Sequence, residues 1–386
     1  MTFTTGRVIH KLLAPPASEV TFLRRGFYTG DLQARDYLEQ IGCWFLTGLE
    51  YGMTVPGEGE IAARLETVPG EYRGFAYEGA SMALTILDGL LPAGGGRLGR
   101  FVAGPAAHQI YTAHVGAGWA MARLPRVLQS RVRPRDPLLR WLTLDGYGFH
   151  EAYFHTPLVV GRQRPPGILP GWRGCARSAA QVIDQGIGRA LWFVCGADAN
   201  RLAGTIAGFT ASRRPDLWAG AGLAAAYAGY RTTASPESLA SPESPASLRD
   251  PAGLRPEVRR QRGAEAAVPS TVGAGLAMQR PAGAPGVPPA GDTGDTANEA
   301  SLRELATCAG RYLPDVAQGA AFAAKARYLA GLVTTHTVTA VRVLCGMEVA
   351  EAARCTDEAL PTDVAAADAY QTWRHRVRQR LTTTGK

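Results

Sequence analysis

Apolar residues recur at helical spacing through most of the chain. From Asp31 onward Leu32, Tyr37, Leu38, Ile41 and Phe45 fall on or near one face of a helix. Upstream, Pro15 and Pro16 exclude a continuous helix, so residues 1–30 read as an ordered arm packed on the body. A second pattern lies over the first. Strings such as Val115-Gly116-Ala117-Gly118, Asp145-Gly146-Tyr147-Gly148, Gln185-Gly186-Ile187-Gly188 and Ala219-Gly220-Ala221-Gly222 can be laid on one another. With the related strings, the anchor glycines fall at 42, 79, 116, 146, 186, 220 and 319, and the first five intervals are 37, 37, 30, 40 and 34 residues. Intervals of that size are those of helix-turn-helix repeats, whose units bury their apolar faces only against neighbours. Glycine inside a helix costs about 1 kcal/mol against alanine. A recurring small stripe therefore implies backbones in close approach. The pattern predicts an all-α array of about seven helical hairpins, a TPR-like α/α superhelix, over residues 31–231 and 301–386.

The last interval, from 220 to 319, is 99 residues and holds far more chain than one unit needs. From Thr232 to Ala300 the chain is rich in Pro, Ser, Ala and Gly, repeats Ser-Pro-Glu-Ser at 235 and 241, and almost lacks aromatic and branched apolar residues. Such a stretch cannot offset its ordering entropy by burial, so residues 232–300 read as a disordered insertion. Ser301 to Leu360 resumes the helical pattern, less securely over the Thr/Val-rich stretch from Val333 to Val343. Asp368 to Arg380 reads as a final basic amphipathic helix.

Composition sharpens this picture in three places. A hydrophobic fraction of 46% in 386 residues is enough for a substantial core. The formal charge of +8 is partly a tail property, because Arg374, Arg376, Arg378 and Arg380 lie within seven residues. These alternate rather than form a face, which favours a solvated helix end over a nucleic-acid surface. The six cysteines show no CxxC and no ligand spacing with histidine, so they read as reduced thiols of a cytoplasmic protein. The uncharged run from Tyr328 to Val341 is too short to span a membrane and is interrupted by threonines and His336.

Candidate chemistry is judged against the repeat. Gly220-Ala221-Gly222-Leu223-Ala224-Ala225 satisfies a dinucleotide fingerprint but follows no buried strand, and its spacing recurs elsewhere, so it is read as architecture. Three residues after the anchor the units carry apolar side chains, except for Arg189. Four after it they carry Leu or Ala, except for His150. Glu78, Asp145, Gln185 and Gln318 precede the anchor in four units, and Asp184 lies one residue earlier; for these, helix capping or first-turn work is the expected role. His150 with Glu151, and with Asp145 nearby, offers a general acid/base pair, or else a buried histidine bonded to a neighbouring unit. His155 and His114 are candidates to approach it. The i, i+5 spacing of His150 and His155 is poor for metal ligation, so no metal site is expected, and no cofactor is identified. Arg189 suits an anion or the carboxyl end of a ligand, or an inter-repeat salt bridge to Asp145 or Glu151. Trp119, Trp141, Tyr147, Tyr153 and Trp192 are candidates to line a site for a long unsaturated molecule, with core packing as the alternative.

Several long strings resemble an uncharacterised bacterial family found in enediyne biosynthetic gene clusters, where it is a component of the conserved cassette. They include Phe75-Ala76-Tyr77-Glu78-Gly79-Ala80, Asp136-Pro137-Leu138-Leu139-Arg140-Trp141-Leu142, Asp184-Gln185-Gly186-Ile187-Gly188-Arg189-Ala190-Leu191-Trp192-Phe193 and Leu217-Trp218-Ala219-Gly220-Ala221-Gly222. The likeness covers about residues 10–230 and 301–360. It implies a role in binding and maturing a linear polyene or polyyne polyketide towards the enediyne core. The alternative is a non-catalytic scaffold that docks other cassette proteins. No catalytic residues are carried over from the family; as an enzyme, the chain is expected to use His150 and Glu151 as acid/base and Arg189 as anchor.

Overall fold

The computed structural model describes residues 15–91, 95–229 and 295–384. These residues are all-helical, with no strand among them. The helices of seven residues or more are α1 (Leu32–Thr54), α2 (Glu58–Leu65), α3 (Gly70–Leu90), α4 (Arg97–Ala103), α5 (Ile110–Arg123), α6 (Leu142–Phe154) and α7 (Ala176–Val194). They continue with α8 (Ala199–Gly208), α9 (Arg214–Tyr227), α10 (Asp295–Ala309), α11 (Leu313–Ala330), α12 (Thr335–Cys345), α13 (Val349–Glu358) and α14 (Ala369–Thr384). The Thr/Val-rich stretch and the C-terminal stretch are thus both helical. The insertion expected over 232–300 lies almost wholly outside the described residues.

The seven helices that carry the small-residue strings pack in chain order, α1 on α3, then α5, α6, α7, α9 and α11. Further helices or turns lie between them in the chain. The glycines explain how they touch. A methyl group built on Gly146 would lie 2.0 Å from the Val115 carbonyl oxygen, and one on Gly118 would lie 2.2 Å from that of Thr143. From Val115 to Gly118 on α5, then, the facing position on α6 runs backward from Gly146 to Thr143, so the neighbours are antiparallel. The same exchange joins α6 to α7 (Gly186 on Asp145, Gly148 on Ile183), α7 to α9 (Gly220 on Gln185, Gly188 on Leu217) and α9 to α11 (Gly319 on Ala219, Gly222 on Val316). Such backbone proximity permits Cα–H···O contacts that a side chain would abolish.

One anchor is corrected. Gly42 faces Val20 of the N-terminal segment, and it is Gly48 that meets the backbone of Ala76 on α3. The position equivalent to the other anchors is therefore Leu46, one helical turn later. That shift puts Glu50 four residues after the anchor, so His150 is not alone in breaking the pattern.

The row does not end open. Arg327, near the end of α11, donates to the carbonyls of Gly70 (3.3 Å) and Glu71 (2.9 Å) in the first turn of α3 and to that of Tyr227 (2.7 Å). Its guanidinium also sits 4.1 Å from the centre of the Tyr227 ring. Tyr37 of α1 donates to the Ala228 carbonyl just beyond α9 at 3.0 Å. The start of the row is thereby tied to its end, α3 to α11 and α1 to the end of α9, and the array encloses an interior. The basic C-terminal helix is not merely a solvated end. Trp373 and Arg374 of α14 are buried, and Arg374 donates to Asp216 (2.7 Å) and Gln318 (3.1 Å).

Candidate functional site

Two cavities occupy that interior. The larger has an empty volume of about 730 Å³, part of it open to solvent, and is walled by residues of α1, α3, α5, α6, α7 and α9, among them Phe45, Phe75, Trp119, Phe149, Tyr153 and Phe193. The smaller, of about 550 Å³, lies towards α11 and α14 and includes Tyr111, Phe322, Lys325 and Trp373. They share Glu78, Arg189, Leu223 and Tyr227 as lining residues.

At the junction the residues before the anchors come together, and their expected role changes. Glu78, Asp145, Gln185 and Gln318 do not cap helices; all four are buried within them, Glu78, Asp145 and Gln185 gathering around Arg189 while Gln318 accepts from Arg374. Arg189 donates to Asp145 in a very short bond, and its other terminal nitrogen lies 3.9 Å from Glu78. Gln185 donates to Asp145 at 2.7 Å and to the Tyr370 hydroxyl at 3.1 Å. Of the two partners proposed for Arg189, Asp145 is therefore the one it meets. Asp184 does not cap either, since it accepts both oxygens' share of a paired contact from Arg213 Nε at 3.0 Å. Burial works against the charge of Arg189, but Asp145 and Glu78 outweigh it and hold the guanidinium above its ordinary range. Burial pushes the Glu78 carboxyl up to about 7, with Arg189 pulling it down and Asp145 adding to the rise. Near neutral pH the junction thus carries little net charge, with Arg189 balanced by Asp145.

Of the expected aromatic residues, Trp119 and Tyr153 line the larger cavity. Trp141 is buried against Tyr370, with ring centres 6.4 Å apart, and Trp192 donates to the Gly229 carbonyl at 3.2 Å. Tyr147 is half-buried, and neither it nor these two tryptophans line either cavity. Phe45, Phe75, Phe149, Phe193 and Tyr227 do, although they carried no distinguishing mark in the sequence beyond their place in the repeat.

Arg189 and His150, the two residues that stood out together in the sequence, are not neighbours. His150 lies behind the wall of the larger cavity, edge-on to Trp119 (5.7 Å) and against Phe154 (4.7 Å), and neither it nor Glu151 lines the cavities described. Burial lowers the affinity of His150 for a proton, opposed by Glu151. Burial raises Glu151, but bonds and charges from His150 and His155 outweigh it and hold the carboxyl low. His114 does not join them; its Nδ1 bonds the Ile110 carbonyl at 2.7 Å in its own helix. The six cysteines are unpaired, and those with the deepest burial, Cys195 and Cys345, are held in the thiol form by desolvation.

Residues 4–244 and 285–381 match a family described as protein of unknown function, DUF1702. The chain belongs to the DUF1702 family. The matched segments contain the whole helical array and all the junction residues, so the enclosed interior of this DUF1702 protein falls within the part that defines membership. The internal residues left out, 245–284, lie inside the Pro/Ser/Gly-rich stretch read as an insertion. No curated protein and no solved structure matches the chain. Among the described residues no helix is long and apolar enough to cross a membrane.

Proposed function

We propose that this DUF1702 protein binds an elongated, mostly apolar and uncharged small molecule inside its closed helical array. The observation that carries the reading is the meeting of two apolar cavities at Glu78 and Arg189. An ion pair already satisfied by Asp145 does not attract a free anion strongly. A Glu78 carboxyl that burial keeps partly protonated near neutral pH instead supplies a hydrogen-bond donor at mid-cavity, with the Trp119 indole N–H directed at the same carboxyl. The favoured ligand is thus a chain or ring system with an acceptor oxygen between two apolar arms.

A linear polyene or polyyne polyketide has that character. The sequence resemblance to proteins of enediyne gene clusters supports this choice, and with it a role in processing the intermediate towards the enediyne core. Mass spectrometry of solvent extracts from the purified protein, together with fluorescence titration of a linear polyene, tests the reading. Ala224 lines the larger cavity, so Ala224→Phe is expected to fill it and to weaken polyene binding at least tenfold while the circular dichroism stays helical. Equal binding by wild type and Ala224→Phe, with no extractable ligand, would leave the scaffold reading in its place.

A further inference from the structure

The end of α6 brings together three ligating side chains that the cavities do not use. One donor atom from each of His150, Glu151 and His155 lies within 4.8 Å of the other two. Glu151 Oε1 is 3.4 Å from His150 Nδ1, and Glu151 Oε2 is 3.3 Å from His155 Nδ1. The carboxylate therefore sits between two imidazoles. Spacing of i, i+5 is poor on a regular helix, but the backbone leaves the helix at His155 (φ −117°, ψ 36°) and the Glu151–His155 pair keeps the favourable i, i+4 relation.

His150 gives the independent observation. It is 5% exposed, and neither ring nitrogen makes a well-formed hydrogen bond among the described residues, the contact from Nδ1 to Glu151 being a long one. Its walls are the rings of Trp119 and Phe154, which offer it no acceptor. A buried imidazole left unbonded costs stability unless something else takes its lone pair. Its Nδ1 is directed at the one carboxylate nearby, at a separation longer than a well-formed hydrogen bond. That separation has another meaning. Two donors bound at about 2.0–2.1 Å to one tetrahedral ion stand roughly 3.3–3.4 Å apart.

We propose that His150, Glu151 and His155 form a binding site for a divalent transition metal ion of the zinc type. Two imidazoles and a carboxylate select such ions over calcium or magnesium, which prefer all-oxygen shells. The Arg123 and Arg25 guanidiniums lie 5.8 and 5.2 Å from the centre of the Phe154 ring that packs on His150, so an ion held by charge alone is disfavoured. Strong nitrogen bonds overcome that repulsion. His155, with 53% of its side chain exposed, is free to swing in and close the third edge, and its open side leaves a position for water or a small ligand. The ion would stand one aromatic ring away from the larger cavity, since Trp119 and Phe154 line that cavity and also contact His150.

The test is a titration of the full chain, stripped with chelator, with Zn²⁺ alone by calorimetry and with Co²⁺ alone by visible absorption. One equivalent of Zn²⁺ per chain is expected, with Co²⁺ giving the intense bands of a tetrahedral ion that Zn²⁺ then displaces. Glu151→Gln and His155→Ala should each weaken binding at least tenfold, while the control His375→Ala binds as wild type does. His155 is half-exposed, so its replacement reads binding without unfolding the protein. The proposal is overturned if no stoichiometric binding occurs, or if His155→Ala and Glu151→Gln bind as tightly as wild type. The result is independent of the polyene titration.

Discussion

Replacing Gly186 by alanine reads out the contact on which the array is built. A methyl carbon at that position would lie 1.9 Å from the Asp145 carbonyl oxygen and 2.8 Å from the Phe149 backbone nitrogen. Carbon–oxygen contacts settle at about 3.3–3.6 Å, so α6 and α7 must part by more than about 1 Å. Both obstructing atoms are backbone, and no side chain can rotate aside. Overpacking of this kind costs roughly 1–3 kcal/mol, and the upper half of that range applies here. Alanine recovers about 1 kcal/mol through helix propensity. The clash wins, and a net loss of about 1–2 kcal/mol is expected. Parting the helices also stretches the bonds from Gln185 and Arg189 to Asp145. Gly204 in α8 is the control, because a methyl group there meets nothing within 4 Å. Gly204→Ala should gain roughly 0.5–1 kcal/mol from propensity alone. Urea denaturation of both variants gives the comparison. A Gly186→Ala protein as stable as wild type, or two variants shifted in the same direction, would refute the close-approach argument.

Arg189→Met leaves Asp145 buried and uncompensated and should destabilise by about 3–5 kcal/mol in urea denaturation, with part of the loss recovered by adding Asp145→Asn. The Glu78 carboxyl is raised from 4.5 to about 7 on folding, so the folded state holds a proton that the unfolded chain has lost. Its contribution therefore falls as pH rises from 4.5 to 7 and is level above that. The stability difference between wild type and Glu78→Gln, measured across that window, should change in favour of the Gln variant with rising pH; a constant difference would show that Glu78 does not titrate there. Arg374→Met removes the partner of the buried Asp216 carboxylate, and thermal melting should show it to be far more damaging than Arg376→Met, although the two arginines are neighbours in the same basic run.

The repeat was legible in the sequence because a close helix–helix approach forbids a Cβ, and that prohibition writes glycine at regular intervals whatever the other residues are. The all-α class and the order of the stacked helices follow from it. Register within α1 did not, since a glycine says only that something is near: Gly42 admits Val20, and Gly48 admits the neighbouring helix. Nor could the sequence tell a capping carboxylate from an interior one. Asp145 has the local setting of a cap, and its true partner, Arg189, is 44 residues away. Arg189 was marked by breaking the pattern, but Glu78 and Gln185 were not marked as its companions, because which faces point inward depends on the closure of the row. That closure rests on Arg327 reaching carbonyls more than 250 residues earlier in the chain. Local periodicity fixed the units and their contact faces, whereas the enclosed interior, its charged junction and the pairing of Glu151 with two histidines arise only when distant segments meet.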